Sequence, residues 1–248
     1  SNVYNEARGE FEFAPGPVFA NVVLADEINR APPKTQAALL EAMGERQVTV
    51  DGQTHDLPEP FTVIATQNPV EQEGTFGLPE AQRDRFILKT SIGYPDAEGE
   101  RTLLDRRADR TDRMPSVEPV LPGSGVSELQ QVPETVWVEP ALRNYIVELG
   151  RQTRADERVE VGVSPRGTQR LFEAARAAAT MAGRGYVVPD DIKRLAVPVF
   201  AHRLVLRTDA SVRRTTPEAV IREVLERVAV PAVEPESDRV PRADGDRS

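Results

Sequence analysis

Val22-Val23-Leu24-Ala25-Asp26-Glu27 is the clearest indicator of the fold, because four apolar residues in a row are followed directly by two carboxylates. A short apolar run without alternation is typical of a strand covered on both faces, as in a parallel sheet. A second run of this kind, Phe61-Thr62-Val63-Ile64-Ala65-Thr66, ends at Gln67-Asn68-Pro69. Strands of this type that alternate with helices predict an α/β fold, in which ligands bind at the carboxyl ends of the strands.

Between these two strands the sequence predicts a helix and a hairpin. The helix starts at Pro32, since proline is tolerated in a first helical turn. The hairpin covers Val48–His55, where Asp51-Gly52 stands between two alternating segments. An Asp-Gly pair in this setting is a strong signal for a two-residue turn.

The chain predicts two domains joined by a linker. Residues 1–112 alternate strands with helices, whereas residues 113–126 contain three prolines and two glycines and are predicted to be the linker. Residues 127–232 carry apolar stripes at helical spacing and are predicted to form a helical domain. Within it, Ser164-Pro165 supplies an N-cap and a first-turn proline. The charged, proline-rich tail 233–248 is predicted to be disordered.

Composition excludes several classes of protein. The net charge of −9 gives no general attraction to nucleic acid or to anionic lipid, and zero cysteines exclude disulfides, thiol catalysis and cysteine-ligated metals. No apolar run reaches the roughly 18 residues that a membrane-spanning helix needs. The polar residues Ser1–Glu6 do not resemble a signal peptide. We therefore expect a cytoplasmic protein.

The polar residues at the two strand ends suggest a site for phosphoryl chemistry. If the strands are neighbours, Asp26 can hold Mg²⁺, Glu27 can orient and deprotonate an attacking water, and Asn68 can position that water or a phosphate. The first hexapeptide also fits an exposed turn or a helix cap, and Asn-Pro is common in turns. The two signals together, in this order, favour the site.

The usual partner of such a site, a phosphate-binding loop of the form G-x-x-x-x-G-K-[ST], does not occur in these 248 residues. The chain has three lysines, Lys34, Lys89 and Lys193, and none of them follows a glycine. The sequence therefore predicts part of an ATP site without its phosphate cradle.

A longer set of motifs resembles the MoxR-type AAA+ ATPases over roughly residues 3–230. The resemblance implies an α/β, P-loop NTPase-type core with a parallel sheet, incomplete here, and a C-terminal all-helical lid domain. In that family a strand and the phosphate loop precede the segment that matches Val3-Tyr4-Asn5, so the chain is similar to a MoxR protein that lacks its first part. The motifs are VVLADEINRA (22–31), ALLEAM (38–43), ERQVTVDG (45–52), VIATQNP (63–69), LPEAQRDRF (78–86), Gly93–Asp96 and Ser164–Arg166.

The resemblance also implies roles for arginines. Arg85 matches the finger that reaches the nucleotide of a neighbouring subunit, although Arg83 could take over that role, and an ion pair of Arg85 with Glu80 or Asp84 is the structural alternative. Arg166 matches the second sensor. An arginine in the first turn of a helix is disfavoured unless an anion lies nearby, which independently favours a phosphate or a lid carboxylate beside it.

The function that the resemblance implies is ATP hydrolysis with Mg²⁺ by a subunit of a ring, commonly a hexamer. Such a ring remodels client proteins, often those with von Willebrand factor A domains. Without the phosphate loop, we expect this chain by itself to show no turnover. Two alternatives stay open: a non-catalytic interaction module that keeps the AAA+ surfaces, and a DNA-translocating relative, against which the negative net charge argues.

Overall fold

A computed structural model of the chain describes residues 2–5, 8–68, 78–110, 117–212 and 215–232. The chain divides into two compact units, Ser1–Gln131 and Val132–Ser248, and each is described by itself. The predicted disordered tail 233–248 lies outside the described residues, as does part of the predicted linker. The helix Gly123–Gln131 begins within the remainder of that linker.

The first unit contains six short strands and four helices among its described residues. These six strands form three separate two-stranded sheets. The strands are β1 (Asn2–Asn5), β2 (Glu10–Phe13), β3 (Val22–Ala25), β4 (Gln47–Val50), β5 (Gln53–Asp56) and β6 (Thr62–Ala65), and the helices are α1 (Pro33–Glu45), α2 (Glu80–Arg83), α3 (Ala97–Ala108) and α4 (Gly123–Gln131).

The two apolar strands are neighbours, as the site prediction requires. Strand β3 pairs with β6 in parallel, with Val22 opposite Thr62 and Ala25 opposite Ala65. Backbone bonds continue past the strand ends, where the Thr66 N–H donates to the Ala25 carbonyl at 3.0 Å. The parallel α/β arrangement predicted from the sequence is therefore confirmed, and the polar residues that follow both strands lie at one edge.

The prediction that both faces of these strands are covered is wrong for the described residues. Val23 and Val63 pack towards a small core around Ala42, Leu57 and Phe61. The alternate residues Val22, Leu24 and Ile64 are 62%, 66% and 53% exposed. A continuous apolar run reports that a strand can be buried on both sides, but it does not say which segment covers each side.

The predicted hairpin is present as β4 and β5, joined by Asp51-Gly52, both with positive φ (49° and 79°). A two-residue turn with two positive φ angles matches the twist of the strands that it joins. His55 on β5 stacks on Phe13 of β2 with ring centroids 3.7 Å apart. The two hairpins β1–β2 and β4–β5 are therefore packed together through this ring pair.

The second unit is built from helices around a continuous apolar core. Its largest fully buried side chains include Phe200, Leu142, Leu171 and Ile221. No helix among the described residues combines the length and apolar character needed to cross a bilayer. The elements are α5 (Pro140–Ala155), β7 (Val159–Val161), α6 (Pro165–Met181), α7 (Pro189–Phe200), β8 (Val205–Leu206), α8 (Thr208–Val212) and α9 (Pro217–Arg227).

The second unit is mainly helical, as predicted, but it is not all helical. Strands β7 and β8 form a short antiparallel pair, and Trp137 forms an isolated parallel bridge with Tyr186. Two- and three-residue strands are too short to show the alternation by which a strand is recognised in a sequence. The predicted lid therefore carries a small sheet that periodicity could not show.

A charged cluster ties the end of α5 to α9. The Asp156 side chain, 5% exposed, accepts two bonds of 2.9 Å from Arg158. Arg158 also contacts Glu223 on α9 at 2.7 Å. The paired guanidinium of Arg158 lowers the pKa of the Asp156 carboxyl from its ordinary 3.8 to about 2. The cluster therefore stabilises the second unit only while Asp156 is ionised.

We expect Asp156→Asn to lower the free energy of unfolding of the second unit by about 2 kcal/mol at pH 7. Because the pKa is lowered in the folded state, this difference from the wild type should be full above pH 3.8 and should vanish as the pH falls towards about 2. Urea unfolding followed by the fluorescence of Trp137, the only tryptophan, measures it.

The control for this prediction is Glu223→Gln, since the Glu223 side chain is 50% exposed and its ion pair is screened by water. It should cost less than half of what Asp156→Asn costs. Equal effects of the two variants, or an Asp156→Asn effect that does not change between pH 2 and pH 7, would contradict the assignment.

Candidate functional site

The two carboxylates predicted to carry chemistry lie in a tight turn at the end of β3. Asp26 is exposed, and Glu27 adopts a left-handed backbone with φ 49° and ψ 49°. A left-handed conformation is uncommon for a residue other than glycine, asparagine or aspartate. Glu27 then leads into a single 3₁₀ turn, Ile28–Arg30.

Thr66, at the end of β6, joins both carboxylate residues to the neighbouring strand. Its hydroxyl donates to Asp26 Oδ1 at 2.5 Å and accepts the Glu27 N–H at 2.8 Å. The Thr66 carbonyl accepts the Ile28 N–H at 3.0 Å. The sequence analysis did not identify Thr66 as a site residue, although its place opposite the residue after Ala25 follows from pairing the two strands.

Two amide side chains, Gln36 and Asn29, stabilise the turn by donating hydrogen bonds to backbone carbonyls. Gln36 on α1 is 1% exposed, and its Nε2 donates to the carbonyls of Ile28 and Ala31 at 3.1 Å each. Asn29 is 8% exposed, and its Nδ2 donates to the Asn68 carbonyl at 3.3 Å. Gln36 lies one helical turn before Leu40, so its inward direction could have been read from spacing, but its partners could not.

Asn68, the predicted water-positioning residue, lies at the same edge as Asp26 and Glu27. The contact described for it runs through its backbone carbonyl to Asn29. The sheet thus brings the predicted residues Asp26, Glu27 and Asn68 together, since parallel strands end on one side.

Glu27 forms an ion pair with Arg30, with 3.3 Å between Oε2 and Nε. The two side chains are 38% and 48% exposed. An ion pair this open to water contributes about 0–1 kcal/mol. The carboxylate of Glu27 can therefore leave Arg30 for a ligand or a water at small cost.

Arg85, the predicted finger, is bound within its own unit. Its Nη1 donates to the Leu40 carbonyl of α1 at 2.7 Å. A Cβ added to Gly44 would lie 2.3 Å from the same nitrogen, so the guanidinium fills the space that a side chain at Gly44 would take.

No ion pair of Arg85 with Glu80 or Asp84 is seen among the described residues. The nearby Arg83 has a buried Nε without a hydrogen-bond partner in the described structure.

Arg166 lies in the second unit, in the first turn of α6. The Ser164 hydroxyl caps this helix by accepting the Gly167 N–H at 3.1 Å, and Pro165 is the first helical residue, as predicted. Arg166 is exposed, and among the described residues it makes no ion pair with Glu160. An uncompensated cation at a helix N-terminus is unfavourable, so an anion beside Arg166 would stabilise this arrangement.

The oxygen donors at the strand ends suit Mg²⁺. Within the described part of the chain, no group of three or more His, Cys, Asp or Glu residues could hold a metal ion alone. Mg²⁺ is commonly bound by one or two carboxylates while waters and substrate phosphates fill its other positions. The adjacent Asp26 and Glu27 supply that kind of partial donor set.

Each of the two compact units contains a segment that matches a known protein family. Residues 1–88 match the model described as the ATPase family associated with various cellular activities, and residues 151–224 match an AAA lid domain. These two matches fall on the first and the second compact unit respectively.

Several known proteins are similar to nearly the whole chain. An uncharacterized protein, YeaC, of Bacillus subtilis is 46% identical over 93% of this chain and 72% of its own length. The chaperone MoxR1 of Mycobacterium tuberculosis is 43% identical over 94% of this chain but 63% of its own length, and protein MoxR of Paracoccus denitrificans is 34% identical over 86% and 69%. A crystal structure of a candidate ATPase from Cytophaga hutchinsonii is 38% identical, covers 94% of this chain and 73% of its own, and superposes with a TM-score of 0.86.

The contact of the Arg85 guanidinium with α1 leads to a prediction for Gly44. In a helix, alanine is more favourable than glycine by about 1 kcal/mol. Gly44→Ala should nonetheless leave stability unchanged or lower it, because the new Cβ displaces the Arg85 guanidinium. In an Arg85→Ala background the same change should stabilise the first unit by up to about 1 kcal/mol. Urea unfolding followed by circular dichroism measures this double-mutant cycle.

The control for this cycle is Gly123→Ala at the start of α4, where an added Cβ meets no atom within 4 Å. Its effect should be the same with and without Arg85. If Gly44→Ala also has equal effects in both backgrounds, Arg85 does not occupy the space above Gly44 in solution.

Proposed function

The chain belongs to the MoxR family of AAA+ ATPases, and we propose that it forms the hydrolytic part of an ATP-driven chaperone or remodelling subunit that acts on partner proteins. One observation carries this proposal. The parallel pairing of β3 with β6 brings Asp26, Glu27, Thr66 and Asn68 to a single sheet edge. This is the edge at which nucleotides bind in open α/β sheets.

Each residue at this edge has a distinct proposed role. Asp26 would hold Mg²⁺, which when bound neutralises charge on the nucleotide phosphates. Glu27 would orient the attacking water and accept its proton, and its open ion pair with Arg30 leaves the carboxylate able to turn towards that water. Asn68 would position the water or the terminal phosphate. Arg166, exposed on the first turn of α6, would contact phosphate.

The phosphate cradle is proposed to come from a part of the whole protein outside these 248 residues. The curated relatives are longer than the part that this chain matches, since it spans 72% of one and 63% of another. The exposed apolar residues Val22, Leu24 and Ile64 beside the site are consistent with a further segment packing there. Without backbone amides and a lysine around the phosphates, the residues described here would bind nucleotide weakly.

The proposed working form is a ring of six subunits, as the family resemblance implies, in which Arg85 or Arg83 reaches the nucleotide of the next subunit. For Arg85 this requires release from the Leu40 carbonyl when subunits assemble. The proposed partners are client proteins, including those with von Willebrand factor A domains, and the proposed location is the cytoplasm. Chaperone activity is supported by the name of one relative, MoxR1.

A second candidate function is a non-catalytic interaction module. It is favoured by one observation, the absence of a G-x-x-x-x-G-K-[ST] motif from the 248 residues. Such a module would keep the AAA+ surfaces for binding partner proteins without turning over ATP.

We expect Glu27→Gln, made in the complete gene product, to lower kcat for ATP hydrolysis by about 10²–10⁴-fold while ATP binding is retained, because the variant loses the proposed base and keeps the metal ligand. Phosphate release measures kcat, and calorimetry measures binding. The matched control is Glu118→Gln, the same change at an exposed carboxylate outside the strand ends, which should leave both unchanged.

The 248-residue polypeptide by itself should show no turnover. Micromolar ATP binding by this polypeptide would show that the phosphate cradle is not needed for nucleotide binding. A complete gene product that contains no phosphate loop and does not hydrolyse ATP would overturn the hydrolytic function and favour the interaction module.

A further inference from the structure

We propose that Thr66 is a positioning residue that sets the orientation of both carboxylates of the site. The inference deepens the proposed function and rests on it for its catalytic consequence. Its basis is the pair of bonds made by one hydroxyl, to the Asp26 side chain and from the Glu27 backbone.

The direction of these two bonds is fixed by chemistry. A backbone N–H can only donate, so the Thr66 oxygen must accept the bond from Glu27. A threonine hydroxyl has a single proton, and that proton is then available for Asp26 Oδ1, 2.5 Å away. The hydroxyl rotor is therefore held in one direction, with the Asp26 carboxylate as its acceptor.

The hydroxyl is itself held by a rigid frame. Thr66 donates its backbone N–H to the Ala25 carbonyl and accepts the Ile28 N–H at its own carbonyl, both at 3.0 Å. These bonds continue the β3–β6 ladder on either side of the turn that contains Asp26 and Glu27. The Thr66 side chain thus projects from a fixed backbone directly at the turn.

The bond from Glu27 also satisfies a backbone group in an unfavourable conformation. Glu27 is left-handed, with φ 49°, and its N–H is directed to the Thr66 oxygen. Loss of that acceptor would leave the turn free to relax towards other conformations, which would move the Glu27 carboxylate. The Thr66 hydroxyl therefore positions the proposed metal ligand, Asp26, by a bond to its side chain, and the proposed base, Glu27, by a bond to its backbone N–H.

Thr66 is exposed, so this role differs from that of a packing residue. Valine has nearly the same shape and a similar strand propensity, and it lacks only the hydroxyl. Thr66→Val should therefore remove the two bonds while leaving the fold in place. Serine keeps the hydroxyl and loses the methyl group, which makes Thr66→Ser the matched control.

The catalytic test uses the complete gene product with saturating ATP. Thr66→Val should lower kcat by about tenfold or more and raise the Mg²⁺ concentration that gives half of the maximal rate, whereas Thr66→Ser should restore most of both values. A merely structural role would not change the Mg²⁺ dependence selectively. Thr66→Val with wild-type kcat and wild-type Mg²⁺ dependence would overturn the inference.

A second measurement does not depend on activity. In the 248-residue chain, the urea midpoint shifts of Thr66→Val and Asp26→Asn should be non-additive, since each removes the same bond. Thr66→Val combined with Asp105→Asn, an exposed carboxylate on α3, should be additive. Additivity in both pairs would show that the Thr66–Asp26 bond does not form in solution.

The two tests separate this inference from the proposed function. If the wild-type gene product does not hydrolyse ATP but the Thr66–Asp26 pair is coupled, the hydrolytic function fails and the positioning of Asp26 stands. If the wild type hydrolyses ATP and Thr66→Val is indistinguishable from it, the function stands and the role of Thr66 fails.

Discussion

The register of β3 against β6 is the constraint on which the candidate site depends. With Ala25 opposite Ala65, the residues that follow the two strands meet in a fixed order, Asp26 and Glu27 on one side and Thr66 to Asn68 on the other. A slip of β3 by one residue would turn Val23 away from the small core and would move Asp26 away from Thr66. The same hydrogen-bonded ladder therefore sets both the packing of the first unit and the chemistry at its edge.

Much of this arrangement could be predicted from the sequence because its signals are local. The Asp51-Gly52 turn, the cap and proline at Ser164-Pro165, and the carboxylates after an apolar strand each depend on a few consecutive residues. The bonds made by Thr66 and Gln36 could not be predicted, since each joins segments that come together only when the chain folds. Sequence spacing indicates which way such side chains point, but it does not identify the carbonyl or carboxylate that they meet.

The errors have the same physical origin. The apolar run of β3 was expected to be covered on both faces, whereas Val22 and Leu24 are exposed in the described structure. The lid was expected to be all helical, whereas β7 and β8 pair across a gap of more than 40 residues. Both features depend on which distant segments lie beside a given residue. The sequence analysis did not identify the ion pairs of Asp156 for the same reason, because Arg227, whose Nη2 lies 3.5 Å from Asp156 Oδ2, comes from the distant helix α9.

The left-handed backbone of Glu27 has a consequence for how this loop can vary. A non-glycine residue in that region costs about 1–2 kcal/mol relative to the right-handed form, a cost that glycine largely avoids. The turn would therefore be more stable with glycine at position 27, but it would then carry no carboxylate there. The most stable sequence of this loop therefore differs from the sequence that places a carboxylate at position 27. Selection for thermal stability alone would remove that carboxylate.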